Sequence, residues 1–220
     1  MNKVEYNTKL ISLADEIFMN TFGMGRSGSK YDRMRQEAAE VIKKIQHKVN
    51  VRSTYKYFDS FSLKGTELTV NEQTFSCKAF EKIDPQSVKG IYIYALSSGD
   101  FSCVRETTRK QLYADMWGNA VTEAGRIILR NELESYSTLS DSFGPGFYGM
   151  DVTEMAKIDM LIDFSNIGVE LRENKILFPL KSCAGIFLNV NETYKRLDDH
   201  CKYCKGKYVS CDLCRLNERV

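Results

Sequence analysis

Residues 90–96 read Gly-Ile-Tyr-Ile-Tyr-Ala-Leu, a nearly continuous apolar run with the length of one β-strand. Runs of this kind, rich in β-branched and aromatic residues, are typical of a strand that is buried on both faces. The turn-forming residues 97–100, Ser-Ser-Gly-Asp, end the run. We therefore expect a central strand here, with the other elements arranged around it.

A long helical pattern follows this strand, from about Arg105 to Leu133. Its apolar residues recur at helical spacing and form one stripe, made of Leu112, Met116, Ala120, Ala124, Ile127 and Ile128. Because an amphipathic helix buries its apolar face, this pattern predicts a helix that lies on the sheet.

The N-terminal part of the chain combines helices with a hairpin. Two helical runs precede residue 48 and are separated by a glycine-rich break at residues 22–29. Alternating residues over 51–75 predict a strand and a hairpin that turns at Lys64-Gly65-Thr66. A short helix is expected over residues 78–83.

The C-terminal part begins with a polar, turn-rich segment, residues 135–149, for which we expect a loop. A helix is expected over 154–164, strands over 167–171 and 183–190 around a turn at Glu173-Asn174, and then a last helix. Long helices thus alternate irregularly with short strands. This order favours the α+β class, with a mixed or antiparallel sheet packed with long helices.

Length and composition limit the class of protein. The 220 residues support one compact domain, expected over residues 1–195, with a small cysteine-rich, metal-binding C-terminal tail at 196–220. The 31 Lys and Arg nearly balance the 29 Asp and Glu, so nucleic acid is not the expected partner. No run approaches the ~18 apolar residues of a membrane span, and the first residues do not resemble a secretion signal. We expect a cytoplasmic protein.

The four cysteines of the tail form the strongest chemical signal. Two Cys-x2-Cys pairs are separated by six residues, and their members are Cys201, Cys204, Cys211 and Cys214. Four thiolates can hold either zinc or a [4Fe-4S] cluster, and the short gap favours the cluster. The alternative is a set of reducible or simply structural thiols.

A second candidate site is the loop at residues 142–149, Ser-Phe-Gly-Pro-Gly-Phe-Tyr-Gly. Its glycines let a small ligand approach the backbone, and two aromatic rings offer flat faces for a ring or a sulfonium cation. The candidate ligand-binding residues here are Ser142, Pro145, Gly146, Phe147 and Tyr148. The alternative is a packed loop whose aromatic side chains fill the core.

A third candidate lies on the long helix, where Asp115, Asn119 and Glu123 follow one another at intervals of four residues. This polar line could hold a ribose or an ammonium group, although a solvated helix face is the alternative. His47 and His200 are not arranged with a nucleophile as in a catalytic triad, so no catalytic residue is assigned.

The order of these segments resembles the activation domain of cobalamin-dependent methionine synthase, and more closely its short, free-standing bacterial relatives. The similarity spans about residues 51–190 and is clearest from Asp115 onward. It rests on four segments in sequence, at residues 112–123, 144–149, 167–169 and 179–186.

The resemblance implies a function in cobalamin-dependent methyl transfer. Domains of this family bind S-adenosylmethionine and dock over a corrinoid carried by another module, which is reactivated by reductive methylation with an electron donor. The partner would be a corrinoid-binding protein or methyltransferase. The tail cysteines have no counterpart in the methionine synthase domain. In a free-standing protein they could supply the electron source. The alternative is a non-catalytic, metal-stabilised module that docks a corrinoid protein without using S-adenosylmethionine.

The resemblance also assigns site residues by position. Residues 145–147, Pro-Gly-Phe, match the family's Pro-Gly-Tyr turn, and the helix with Asp115, Asn119 and Glu123 matches the helix that contributes a carboxylate to the pocket. Ser142 stands where the family often has an arginine that meets the ligand carboxylate, and Phe147 lacks the tyrosine hydroxyl. We expect the turn and the polar line of the helix to face each other across one crevice.

Overall fold

The computed structural model describes residues 3–21, 24–101, 107–197 and 200–203. Within these ranges it contains α-helices and antiparallel β-sheets, which confirms the predicted α+β class. The α-helices are α1 (Lys3–Thr21), α2 (Ser29–Ile45), α3 (Thr108–Leu133) and α4 (Met155–Ile162). The strands are β1 (Arg52–Phe58), β2 (Phe61–Lys64), β3 (Glu67–Val70), β4 (Gln73–Ser76), β5 (Val88–Ser97), β6 (Thr138–Phe143), β7 (Glu170–Leu171), β8 (Leu177–Phe178) and β9 (Ser182–Val190).

The main sheet has the order β1-β5-β9-β6, and each neighbouring pair is antiparallel. The predicted central strand is confirmed, because β5 is paired on both sides and almost all of its residues are buried. The predicted hairpin is also confirmed: Lys64 pairs with Glu67 across a two-residue turn, and β4 extends the hairpin to a meander.

The two faces of the main sheet contact different layers. On one face, Tyr94 of β5 and Phe187 of β9 stack with ring centroids 4.7 Å apart and pack near Leu129 and Leu133 of α3. The other face packs against the meander, α4 and the loops around them. The sheet therefore lies between α3 and the meander.

Helix α3 is buried on two sides, which corrects the predicted single stripe. Its first part packs against α1 and α2 through residues such as Trp117 and Val121, and its last turns lie on the sheet. Leu112 of the predicted stripe is 54% exposed. A helix between two layers needs apolar residues on opposite faces, so its buried set is wider than one amphipathic stripe.

The segment predicted as a loop, residues 135–149, contains the edge strand β6, so this prediction was wrong in part. Leu139 and Phe143 are buried, while a register shift against β9 falls between Leu139 and Ser142. The Oγ of Ser140 accepts a 2.9 Å hydrogen bond from the backbone N–H of Leu188. The strand forms although most of its residues are polar, because an edge strand needs only one paired neighbour.

Two further expectations need correction. The turn near Glu173-Asn174 is closed by the two-residue strands β7 and β8, whereas β9 joins the main sheet. Residues 191–197 contain no α-helix, and the segment His200–Tyr203 is a short 3-10 helix.

Cys204, Cys211 and Cys214 lie outside the described residues, so the metal-binding tail and the division at residue 195 stay predictions. No helix in the described ranges combines the length and the apolar character required to cross a membrane.

Candidate functional site

A cleft of about 500 Å³ opens between α3, the end of β6, the following glycine-rich loop and the start of β9. Its size lies within the range of small-molecule sites, roughly 300–1,000 Å³. The cleft brings together five of the predicted residues: Asn119, Glu123, Ser142, Phe147 and Tyr148. Pro145 and Gly146 form the corner of the loop and are not among the residues that line the cleft, and Asp115 lines a neighbouring cavity of about 340 Å³. The role of all eight in ligand binding stays a prediction.

The loop is held by its own backbone. The N–H of Phe147 donates a 2.9 Å hydrogen bond to the carbonyl of Gly144, and the N–H of Gly146 donates a 3.0 Å bond to the carbonyl of Met150. Gly146 has a φ of +91°, a backbone conformation that residues other than glycine rarely adopt. The corner therefore requires the glycine that the sequence supplies.

The two aromatic residues of the loop have different surroundings. Phe147 is 52% exposed and lines the cleft, whereas Tyr148 packs edge-on against the buried Phe143, with ring centroids 5.2 Å apart. One ring thus contributes to the core, and the other is about half exposed in the cleft. The packed-loop interpretation therefore describes Tyr148, whereas ligand binding by Phe147 stays a prediction.

The polar line on α3 is held by residues from elsewhere in the fold. The Nζ of Lys181 donates a 2.7 Å hydrogen bond to Oδ1 of Asn119 and forms an ion pair with Asp115. Lys181 lines both cavities, so its side chain forms part of the wall between them.

One turn further along α3, Glu123 is paired with Arg126. The Nε of Arg126 donates a 2.8 Å hydrogen bond to Oε2 of Glu123, and its Nη2 donates to Oε1. Burial alone would lower the pKa of Arg126, but the hydrogen bonds and charge of Glu123 raise it above its ordinary value. The guanidinium is therefore a permanent cation in the wall of the cleft.

The part of the opposite wall formed by Tyr94, Ser142 and Cys183 is neutral. The hydroxyl groups of Tyr94 and Ser142 are 2.7 Å apart and share a hydrogen bond. Burial raises the pKa of Tyr94 above its ordinary value and raises the pKa of the Cys183 thiol to about 12. Both groups stay protonated at neutral pH, and the charges that act on both of them are those of Arg126 and Glu123 on α3.

Sequence reasoning missed several charged residues of the cleft. Arg126 and Arg130 lie three and seven residues after Glu123, so helical spacing could have placed them on the same side of α3. Lys181 had no local signal, because it is 62 residues away from Asn119.

The start of the C-terminal segment lies beside the cleft. Oδ2 of Asp141 accepts 2.8 Å hydrogen bonds from the hydroxyl of Tyr194 and from the backbone N–H of Leu197. The ring of Tyr203 contacts that of Tyr148, with centroids 5.7 Å apart. Among the described residues, no group of three or more His, Cys, Asp or Glu side chains could hold a metal ion.

No protein-family model and no curated protein matches the sequence of the chain. Its fold is similar to that in the crystal structure of the MetH reactivation domain bound to AdoHcy, with a TM-score of 0.60 and 14% sequence identity. The similarity covers 88% of this chain and 78% of that chain. At this identity the similarity establishes the fold alone, and it confirms the resemblance at that level: the chain has the fold of the MetH reactivation domain.

Proposed function

We propose that the protein reactivates a corrinoid methyltransferase protein by reductive methylation with S-adenosylmethionine. The observation that carries this proposal is the cleft of about 500 Å³ in a chain with the fold of a domain that was crystallised with AdoHcy. The corrinoid would be carried by a partner protein, and S-adenosylmethionine would be the methyl donor.

The proposed reaction has two balanced steps. One electron from a donor reduces the partner's cobalt(II) to cobalt(I). The methyl group of S-adenosylmethionine is then transferred to cobalt(I), which supplies both electrons of the new bond. The broken carbon–sulfur bond leaves its electron pair on sulfur, so the sulfonium becomes the neutral thioether of S-adenosylhomocysteine. The methyl transfer needs no protein nucleophile or base, and in this step the residues of the chain only bind and orient S-adenosylmethionine.

The walls of the cleft suit the parts of such a donor. The exposed ring of Phe147 provides a flat face for the adenine. Residues 182–184 of β9 also line the cleft, and here β9 extends past the last β6 pairing, between Phe143 and Ile186. This edge of the strand therefore has no β6 neighbour, and its polar backbone groups can hydrogen-bond the ligand.

Equilibrium titration of the purified chain with S-adenosylhomocysteine and S-adenosylmethionine tests the binding step. We expect saturable binding, and we expect Phe147→Ala to weaken it about tenfold, since stacking of one base on an aromatic ring contributes roughly 1–3 kcal/mol. Tyr136→Ala is the matched control, because Tyr136 is 79% exposed and lies outside the cleft. Absence of binding at millimolar ligand would contradict the proposal.

The transfer step is tested with a cobalamin-bearing module in the cobalt(II) state, S-adenosylmethionine and a low-potential chemical reductant. We expect the visible spectrum to change to that of methylcobalamin only when the chain is present. If the chain changes the cobalt spectrum on docking but binds no S-adenosylmethionine, the non-catalytic docking module is the correct function.

We propose further that Cys201, Cys204, Cys211 and Cys214 hold a [4Fe-4S] cluster, with zinc as the alternative. Support comes from the spacing of the two Cys-x2-Cys pairs and from the contact of Tyr203, which lies between Cys201 and Cys204, with Tyr148 near the cleft. A cluster there could pass an electron towards a docked partner, and the reducing cytoplasm is where we expect the protein to act.

Iron, sulfide and zinc analysis of protein purified without oxygen distinguishes these ligands. A cluster gives about four irons and four sulfides per chain and a visible absorbance, whereas a colourless protein with one zinc excludes the redox role. Cys204→Ser should abolish activation that depends on the cluster but leave S-adenosylmethionine binding unchanged.

A further inference from the structure

The charged residues of the cleft differ in how many of their hydrogen-bonding groups are already used. Lys181 is bound to Asp115 and Asn119. Arg130 donates to Glu134 and to the carbonyl of Leu139, and its guanidinium lies over the ring of Phe187 at 5.6 Å. Both cations are therefore held by the fold itself.

Asp141 and Arg196, two further charged residues of the cleft, are also held by the fold or by solvent. Asp141 accepts the two bonds that hold the segment of Tyr194 and Leu197. The side chain of Arg196 is 64% exposed and lies 3.8 Å from Glu134, so it is largely solvated. Among the described residues that line the cleft, this leaves Glu123 and Arg126 as the charged residues that are bonded only to each other.

The Arg126–Glu123 pair keeps unused capacity on both partners. A guanidinium has five N–H donors, and Glu123 takes two of them. The Nη1 group makes no hydrogen bond with any residue that the structure describes. Each carboxylate oxygen of Glu123 has accepted one bond and can accept a second. The side chains are 24% and 41% exposed for Arg126 and Glu123, so a ligand can reach them in partly dehydrated surroundings.

The pair lies close enough to the opposite wall of the cleft to act electrostatically on its residues. The charge of Arg126 acts on both Tyr94 and Cys183, which are residues of that wall. Tyr94 in turn shares its hydroxyl hydrogen bond with Ser142. A cation is thus present near Ser142, although the residue at 142 itself is uncharged.

We infer that Arg126 and Glu123 together bind the α-amino-acid end of the ligand, with its carboxylate on Arg126 and its ammonium on Glu123. The inference rests on the proposed function and names the residues that recognise this part of the ligand. An α-amino acid end carries one negative and one positive group on the same carbon, and the pair presents the complementary charges side by side. The amino-acid end itself adds no net charge to the cleft, and both new contacts are charge-assisted hydrogen bonds.

Calorimetric titration with two ligands tests this inference. S-adenosylhomocysteine carries the amino-acid end, whereas 5′-methylthioadenosine has the same nucleoside and thioether without it. We expect Arg126→Gln to weaken binding of S-adenosylhomocysteine about tenfold to a hundredfold, as expected for loss of a charged hydrogen bond. Binding of 5′-methylthioadenosine should stay within about twofold, and Glu123→Gln should show the same selectivity.

Arg126→Lys keeps the charge but not the planar fork, and we expect an intermediate loss. Arg196→Gln is the matched control at the rim of the same cleft and should change neither affinity. Thermal unfolding of each variant verifies that the fold is intact.

The outcomes separate the inference from the proposed function. If Arg126→Gln weakens both ligands equally or neither, or if Arg196→Gln causes the selective loss, the inference is overturned while the cleft remains a nucleoside site. If the unmodified protein binds neither ligand, the proposed function itself fails.

Discussion

Lys181 and Asn119 are joined by a 2.7 Å hydrogen bond that ties the residue before β9 to the middle of α3. The same ammonium group forms an ion pair with Asp115, one turn earlier on the helix. All three polar residues on the predicted ligand-binding line thus have a partner within the chain: Asp115 and Asn119 share Lys181, and Glu123 is paired with Arg126. The polar line on α3 is partly a structural contact between the helix and the sheet.

Replacement of Lys181 by methionine should weaken this contact. The lysine side chain is 12% exposed, so its two hydrogen bonds are only partly screened, whereas Asp115 is 58% exposed and can be solvated after the change. We expect the free energy of unfolding to fall by about 1 kcal/mol, measured by urea unfolding. Lys64→Met, at an exposed position at the end of β2, is the control, and equal effects of the two changes would show that the Lys181 contacts add nothing.

The hydrogen bond between Trp117 and Asp15 gives a second prediction. The Nε1 of Trp117 donates a 3.0 Å bond to Oδ1 of Asp15, and the tryptophan is fully buried. Asp15→Leu leaves a buried donor without an acceptor and should lower the free energy of unfolding by about 1–3 kcal/mol. Asp15→Asn keeps an acceptor and should cost clearly less.

The fluorescence of Trp117, the only tryptophan of the chain, follows this unfolding directly. If Asp15→Leu and Asp15→Asn destabilise the protein equally, the contribution comes from the charge of Asp15 rather than from the hydrogen bond.

Local patterns predicted the elements whose residues are buried by their immediate neighbours. The central strand β5 and the hairpin were visible because their apolar residues are consecutive or alternate. Strand β6 was not, because its Thr-Leu-Ser-Asp-Ser-Phe sequence has only two apolar residues and depends on contacts such as that of Ser140 with Leu188. When a short strand such as β6 is stabilised by pairing with residues far away in the chain, its own sequence shows no hydrophobic periodicity.

The residues of the candidate site also fall into those that the sequence could predict and those that depend on tertiary contacts. The loop corner and the line on α3 could be found from residue types and spacing, and the resemblance to a family related them to one crevice. The role of Lys181 could not be predicted, because it depends on a tertiary contact with Asn119, which is 62 residues away in the chain. Arg126 could have been identified as a neighbour of Glu123 on the helix, but only the cleft shows that the pair faces a ligand-sized space.

Stability should fall at alkaline pH. Burial raises the pKa of Cys183 to about 12 and raises the pKa values of Tyr94 and Tyr194 above their ordinary values. The unfolded chain therefore loses these protons at lower pH than the folded chain, so the stabilisation is complete below the unfolded pKa values and decreases as the pH rises towards the folded ones. Between about pH 8 and about pH 10.5, Cys183 alone should contribute a loss of roughly 2 kcal/mol.

Urea unfolding of Cys183→Ala at the same two pH values isolates this contribution. The variant should lose less stability over the interval than the unmodified protein, whatever its stability at pH 8. An unchanged difference between the two pH values would show that the thiol ionises equally easily in both states.

Asp141 should control the order of the segment that leads to the cysteine tail. Its Oδ2 accepts hydrogen bonds from the Tyr194 hydroxyl and the Leu197 N–H, and Lys195 and Arg196 lie between these two residues as sites for trypsin. Asp141→Ala removes both bonds, so local opening of the segment becomes more frequent, and cleavage after Lys195 or Arg196 should accelerate about tenfold. Tyr194→Phe removes one bond and keeps the anchor at Leu197, so it should accelerate cleavage less. Mass spectrometry of the fragments over time measures both rates, and equal cleavage of Asp141→Ala and the unmodified protein would mean that the segment is held by its apolar contacts, such as those of Tyr194 and Leu197 with the core.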